Sequence, residues 1–436
     1  MVTTEAATGA TVPVQQSERI EALDILRGIA VLGILLMNIV GFGLALAYEN
    51  PTVAGGMDPP NYWAWAIPTM LFEGTMRGIF SLLFGASIVL LTDRMEKSGA
   101  GLKTADIHFR RMLWMMLFGF IHWALLLWIG EILFAYSIGG LLLFVFRKMV
   151  PRMLLAIAAA LLATSVVTSV FDYRAMADQR AAAVAAETAK ASGATMSEDQ
   201  RAAIESWNET RAEFSPGPDD LEPIIAIHRV GYIDAVIGQF PMSFEFQWVD
   251  LPWWLFFDMM SFMLIGMAFL KLDILSGRRS GRFYAMMMVG GYTVGLPLNF
   301  VELQIFQNSG FSPLGFSQAN ISYEISRLAM VLGHLGLFLI IIRGGWFKAA
   351  QRVLAAVWQM ALSNYIAQTL ICTLIFFGFG LGMFNQLERH QLFYVVAGIW
   401  LLELIWSPIW LKQFRFGPLE WLWRSLTYWE AQPLRR

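Results

Sequence analysis

Two ionisable residues, His122 and Glu131, lie inside the apolar stretch FGFIHWALLLWIGEILFAY, residues 118–136. An imidazole that takes a proton and a carboxylate that orients it are the parts of general-base catalysis. Ionisable groups at membrane depth are costly enough to mark a functional site by default. Further polar residues in apolar surroundings are candidate partners. Asp24 and Arg27 are three apart on one helical face and can pair, and Asn38 lies three turns beyond Arg27 on that face. Glu73, Arg77, Ser81 and Gly85 recur every four residues as a polar-to-small stripe, with Glu73 and Arg77 expected to pair inside the membrane. Arg27, Arg77 and Arg111 suit donor phosphates or an oxyanion. Gln359, Ser363, Asn364 and Gln368 form a polar band that serves either as interhelical glue or as ligand contacts.

Structural roles stand beside these readings. Arg27 fits an interfacial arginine reaching for lipid phosphate. His334 fits a hydrogen-bonded packing residue, and His228 a surface residue. Five scattered histidines and the single Cys372 give no metal-ligand spacing, so neither a metal site nor a bound cofactor is expected.

These residues need a membrane scaffold. Of 436 residues, 57% are hydrophobic and 15% charged, and mean hydropathy is +0.55. A soluble domain could not hide that much apolar surface, so the lipid bilayer is the expected partner. A net charge of −2 gives no case for nucleic acid. The pattern predicts an all-α bundle of about ten transmembrane helices, near 22–47, 64–92, 110–129, 131–147, 153–171, 251–271, 283–304, 321–343, 352–379 and 391–411. An interfacial helix follows, with Pro418 at its start and Glu420 paired to Arg424.

Lys/Arg-rich loops at 93–111, 147–152, 271–282 and 343–352 alternate with loops poor in both at 48–62, near 130, at 305–320 and at 380–390. That alternation puts both termini in the cytoplasm. Four regions are expected: a disordered tail at 1–18, an N-terminal bundle at 19–171, an extracytoplasmic insert at 172–247 and a C-terminal membrane domain at 248–436. Asp250 and Asp258, among tryptophans, suit an interfacial stretch. The third and fourth helices should turn within about two residues of Gly130, with His122 about 12 Å below the turn. His122 and Glu131 are expected to face one polar cavity open outward.

The blocks RIEALDILRGIAVLGILLMNI, GIFSLLFGAS, RRMLWMMLFGFIHWALLLWIGEILFAYSIGG, LSNYIAQTL and FGPLEWLWRSLTYW resemble those of the bacterial YeiB family. That family is defined by a C-terminal membrane domain of unknown function. Glu131 stands where the family pattern leads one to expect Asp, one methylene shorter. The resemblance implies a multi-pass protein of the bacterial plasma (inner) membrane. The N-terminal half is similar to membrane acyltransferases of the heparan glucosaminide acetyltransferase type, which move an acyl group from cytosolic acyl-CoA to an acceptor. That similarity implies acyl-CoA as co-substrate and a lipid or sugar acceptor. Asn38 stands at the depth where related sugar acyltransferases often carry His, and residues 48–62 contain no His, which leaves His122 as the candidate base. A transporter or exporter using Glu73, His122, Glu131, Asn364 and Gln368 as a midplane site or proton relay remains an alternative. So does a non-catalytic scaffold. A homodimer is open.

Overall fold

The computed structural model describes residues 21–48 and 50–436; the tail at 1–18 lies outside the described residues. The described chain is all-helical apart from one isolated bridge, Phe414 to Arg435. The N-terminal bundle holds α1 (Glu21–Gly43), α2 (Pro59–Phe72), α3 (Thr75–Lys97), α4 (Lys103–Leu125), α5 (Leu133–Phe146) and α6 (Pro151–Ala191). Next come α7 (Glu198–Phe214), α8 (Pro218–Arg229), α9 (Tyr232–Glu245), α10 (Leu251–Trp254) and α11 (Met260–Lys271), with π-helical turns at Phe246–Asp250 and Leu255–Met259. The C-terminal part is α12 (Gly281–Asn308), α13 (Pro313–Arg343), α14 (Lys348–Gln359), α15 (Ala361–Phe376), α16 (Arg389–Gln413) and α17 (Pro418–Tyr428).

Five described helices are long and apolar enough to cross a membrane, or seven if each bent pair is one span, short of the ten expected. One expected span, α5, is apolar but only 14 residues long, and other expected helices differ in bounds or shape. The expected helix at 64–92 is interrupted at Glu73 and Gly74, where Gly74 takes φ +63°. A Cβ on Gly74 would lie 2.4 Å from the Tyr323 hydroxyl and 2.5 Å from Arg327 Cδ, so glycine serves both the backbone and the close approach. The expected helix at 352–379 bends by 81° between α14 and α15. The expected helix at 153–171 runs on to Ala191, because the Ala-rich charged sequence after it has high helix propensity and meets no breaker.

At the centre, α3 and α11 touch backbone to backbone. A Cβ on Gly85 would fall 2.0 Å from the Met263 carbonyl oxygen, and one on Gly266 would fall 1.7 Å from that of Leu82. Small residues at reciprocal positions are how membrane helices gain contact when lipid supplies no hydrophobic drive. The main core surrounds this seam and includes Leu26, Leu35, Ile79, Leu82, Phe262 and Leu335.

Candidate functional site

α4 ends at Leu125, three residues past His122, and the chain returns through 126–132 rather than turning tightly at Gly130. Leu127 takes φ +61° in this loop, and Trp128 stacks on Phe42 with centroids 3.8 Å apart. The early stop brings Glu131 back down beside His122, with Glu131 Oε1 3.5 Å from His122 Nδ1. At that distance the ring is oriented, but Nδ1 forms no hydrogen bond of ordinary geometry. Glu131 accepts from the first amides of α5, those of Leu133 and Phe134, the latter at 2.8 Å. A carboxylate at a helix N-terminus is favoured by the bare amides and the helix dipole. Gly119 makes room: a Cβ there would lie 2.4 Å from Phe134 N and 2.9 Å from Glu131 Oε2.

Residues of 172–247 hold this loop from above. Tyr232 donates to the Leu125 carbonyl at 2.7 Å and Gln239 to that of Leu127 at 3.3 Å. Gln247, on a π-helical turn, donates to the carbonyls of Ile129 and Glu131, each at 3.1 Å.

On its other side His122 Nε2 is 2.8 Å from Thr369 Oγ1 of α15, and the Tyr365 ring stands edge-on to the imidazole at 4.9 Å. With the ring proton on Nδ1, the nitrogen facing Glu131, Nε2 is the atom that accepts from the Thr369 hydroxyl; with it on Nε2 the direction reverses. His122 and Glu131 are both 0% exposed.

The cavity is not where the sequence pointed. It measures about 260 Å³ and is lined at the Lys/Arg-rich end of the bundle by Arg27, Arg94, Arg111, Arg415 and Arg424, with Asp24 and Glu420 as its acidic residues. Its body is apolar, with Phe80, Phe84, Met112, Met115 and Leu133, and Tyr136 and Tyr365 form part of its wall. His122 and Glu131 do not line it; Tyr365 and Leu133 stand between. His122 and Glu131, expected to face an outward-open cavity, are fully buried and line no part of this one, and residues of 232–247 cover the hairpin loop.

Sequence-derived site residues divide accordingly. Asp24 and Arg27 pair at 3.5 Å in the cavity wall, where Arg27 also bonds Ser87 and the Leu83 carbonyl and lies 4.6 Å over the Trp358 ring. Arg111 stacks 3.9 Å over Trp423 of α17. Asn38 is half-buried and lies outside the cavity lining. The expected Glu73–Arg77 ion pair gives way to other partners. Arg77 pairs with Asp258 at 2.7 Å, and Asp258 with Arg327 at 2.9 Å, while Arg327 bonds Glu324. Tyr323 links Arg77 and Glu73 at 3.3 and 3.4 Å, and Tyr48, 41% exposed, reaches Glu73 at 3.1 Å. The interruption at Gly74 displaces Glu73 from the helical register that pairing needs.

Asn364 donates to Ser407 Oγ and the Val357 carbonyl, each at 3.1 Å, and accepts from Trp406. Gln368 donates to Glu403 at 3.2 Å. Both act as interhelical glue. Glu420 meets the start of α15: it accepts from Leu362 N at 2.6 Å, Ser363 N at 3.1 Å and Ser363 Oγ at 2.6 Å, while Arg424 lies over Phe416. His334 bonds the Met330 carbonyl at 3.0 Å, as a packing residue does. His228 is buried rather than superficial, stacked 3.6 Å from Phe384. Burial pushes its imidazole down to about 4, against the opposing backbone bond to Ile224.

Sequence reasoning missed Thr369, Tyr365, Asp258 and Glu403. Thr369 and Tyr365 are within or beside the polar band already singled out. Asp258 was legible as a carboxylate amid WWLFFDMMSF, but the neighbouring tryptophans suggested an interface.

Comparison with known proteins fits this architecture. A family model described as a protein of unknown function (DUF418) matches residues 269–430. The uncharacterized protein YeiB of Escherichia coli (strain K12) is 30% identical over 95% of this chain and 98% of its own length. The chain belongs to the YeiB family. A second relative, the uncharacterized protein YxaH of Bacillus subtilis (strain 168), is 25% identical over 97% of this chain and 98% of its own length. No solved structure matches. The matched segment of this YeiB-family chain contains Thr369, Glu403 and Glu420, whereas His122 and Glu131 lie outside it. The hydrogen bond from Thr369 to His122 thus joins the C-terminal domain to the N-terminal bundle.

Proposed function

We propose that this protein is an integral-membrane acyltransferase of the bacterial inner membrane, taking an acyl group from cytosolic acyl-CoA and passing it to a hydroxyl or amine. The observation that carries the reading is the cavity: five arginines at the basic end, an apolar body, and a wall residue, Tyr365, in contact with His122. Guanidinium groups match phosphates and an apolar channel matches an acyl chain. In this reading His122 removes the acceptor proton while Glu131 orients the ring and stabilises the imidazolium. Arg27 and Arg111 hold donor phosphates.

Native mass spectrometry of the purified protein with acyl-CoA species of increasing chain length tests this. Binding that weakens in Arg111→Ala, with release of free CoA, is expected. Absence of binding at every chain length would overturn it.

A transporter is the second reading, favoured by one observation. A run of polar contacts leads from the cavity wall at Tyr136 through Ser81 at 2.6 Å, then Arg77, Tyr323 and Glu73, to exposed Tyr48 at the other end of the bundle. Interrupted helices at such a path are a transporter trait. Solute flux into proteoliposomes without acyl-CoA turnover would select this reading instead.

A further inference from the structure

Threonines in the helices of this chain usually satisfy their hydroxyls locally. Thr92, Thr164, Thr188 and Thr427 each donate to the carbonyl four residues back on their own helix. That bond is the default for a helical threonine away from water. Thr369 departs from it: its hydroxyl goes to His122 Nε2 at 2.8 Å, across 247 residues of sequence. It is 1% exposed, so the bond is not a surface accident. Behind the imidazole stands Glu131, fixed by two amides of α5. A hydroxyl on a histidine that is in turn oriented by a carboxylate is the arrangement that activates an alcohol nucleophile, and such contacts are often long before substrate binds.

We propose that Thr369 is the nucleophile of this site, carrying the acyl group as an ester between donor and acceptor. The assignment rests on the acyltransferase reading and adds a covalent intermediate to it. Thr369 Oγ1 attacks the thioester carbonyl of acyl-CoA as His122 Nε2 takes its proton. The C–S bond breaks, and the thiolate leaves as CoA thiol with the proton from His122. The acceptor hydroxyl or amine then gives its proton to Nε2 and attacks the threonyl ester. The C–O bond to Thr369 breaks, and the proton returns to Oγ1. The sum is acyl-CoA plus acceptor giving acylated acceptor plus CoA, with no other reactant. Tyr365 is one helical turn before Thr369 on the same face of α15, lines the cavity, and lies against His122. Rotation of its ring is the movement that admits the thioester.

The test uses the full-length protein in nanodiscs with palmitoyl-CoA, rapid acid quench and intact-mass measurement. Wild type should gain one acyl group that survives neutral hydroxylamine, as an oxyester does. The same adduct should form in Cys372→Ser, which removes the nearby thiol. Thr369→Ala should lose the adduct and at least about a hundredfold in CoA release, Thr369→Ser should stay within about tenfold of wild type, and His122→Gln should form no adduct. Size-exclusion profiles and melting temperatures show that the variants fold. Thr369→Ala turning over at the wild-type rate would overturn the nucleophile and leave the acyltransferase reading intact. Failure of wild type to bind or cleave palmitoyl-CoA would overturn both.

Discussion

Two buried polar clusters in this protein solve one problem in opposite ways. The Arg77–Asp258–Arg327–Glu324 cluster neutralises charge with charge, on side chains from three segments. The Glu131–His122–Thr369 cluster has one carboxyl group held by backbone amides, an imidazole and a hydroxyl. In the first, every member is committed to an opposite charge, and removing one strands the others. In the second the carboxyl group is held by the first amides of helix α5, which leaves the imidazole and the hydroxyl facing each other. The proposed chemistry rests on the second, although both look alike as ionisable residues in apolar sequence.

The comparison breaks most visibly at Arg327. Arg327→Leu should destabilise the protein by about 3–5 kcal/mol, because Asp258 and Glu324 are left buried with one cation between them. Thermal unfolding in detergent reads this, and a variant as stable as wild type would deny the cluster its structural role.

A smaller loss belongs to His228. Its folded value, about 4, lies below the unfolded value near 6.5, so the unfolded chain binds the extra proton first. Stability should be full above pH 6.5 and fall as pH drops toward about 4, by up to about 3 kcal/mol, with His228→Phe flattening the profile. Denaturation midpoints from pH 7 to 4 measure it.

His122→Gln sharpens the contrast. Stability should change by about 1 kcal/mol or less, since Gln keeps polarity and most of the volume, while CoA release from palmitoyl-CoA is lost. Full turnover in this variant would remove the second cluster from catalysis.

The smallest effect is expected at Gln247. Gln247→Leu frees the Ile129 and Glu131 carbonyls and should cost about 1 kcal/mol. Hydrogen exchange in 126–132 should rise while the rest of the chain is unaffected.

The sequence carried the fold class well, because twenty-residue apolar runs are a one-dimensional signal. Helix interruptions were harder to read. Gly74 is one of 37 glycines, and beside its φ of +63° it must clear Tyr323 and Arg327, some 250 residues away. The hairpin residues His122 and Glu131 were legible as costly groups, and the structure brings them together. Thr369 was not, since a helical threonine needs no partner beyond its own turn. Glu420 and Arg424 show the limit of local rules: four-residue spacing permits a pair, but the bare amides of α15 hold the carboxylate.

That last contact orders events in time. The amide of Leu362 is satisfied by a carboxylate 58 positions further along the chain. During synthesis α15 therefore enters the membrane with its first turn bare, and it stays so until Glu420 has been added. Arg415 and Arg424, which complete the arginine side of the cavity, arrive with the same late segment. A partly synthesised chain thus carries His122, Glu131 and Thr369 before the arginine side of the neighbouring cavity is complete.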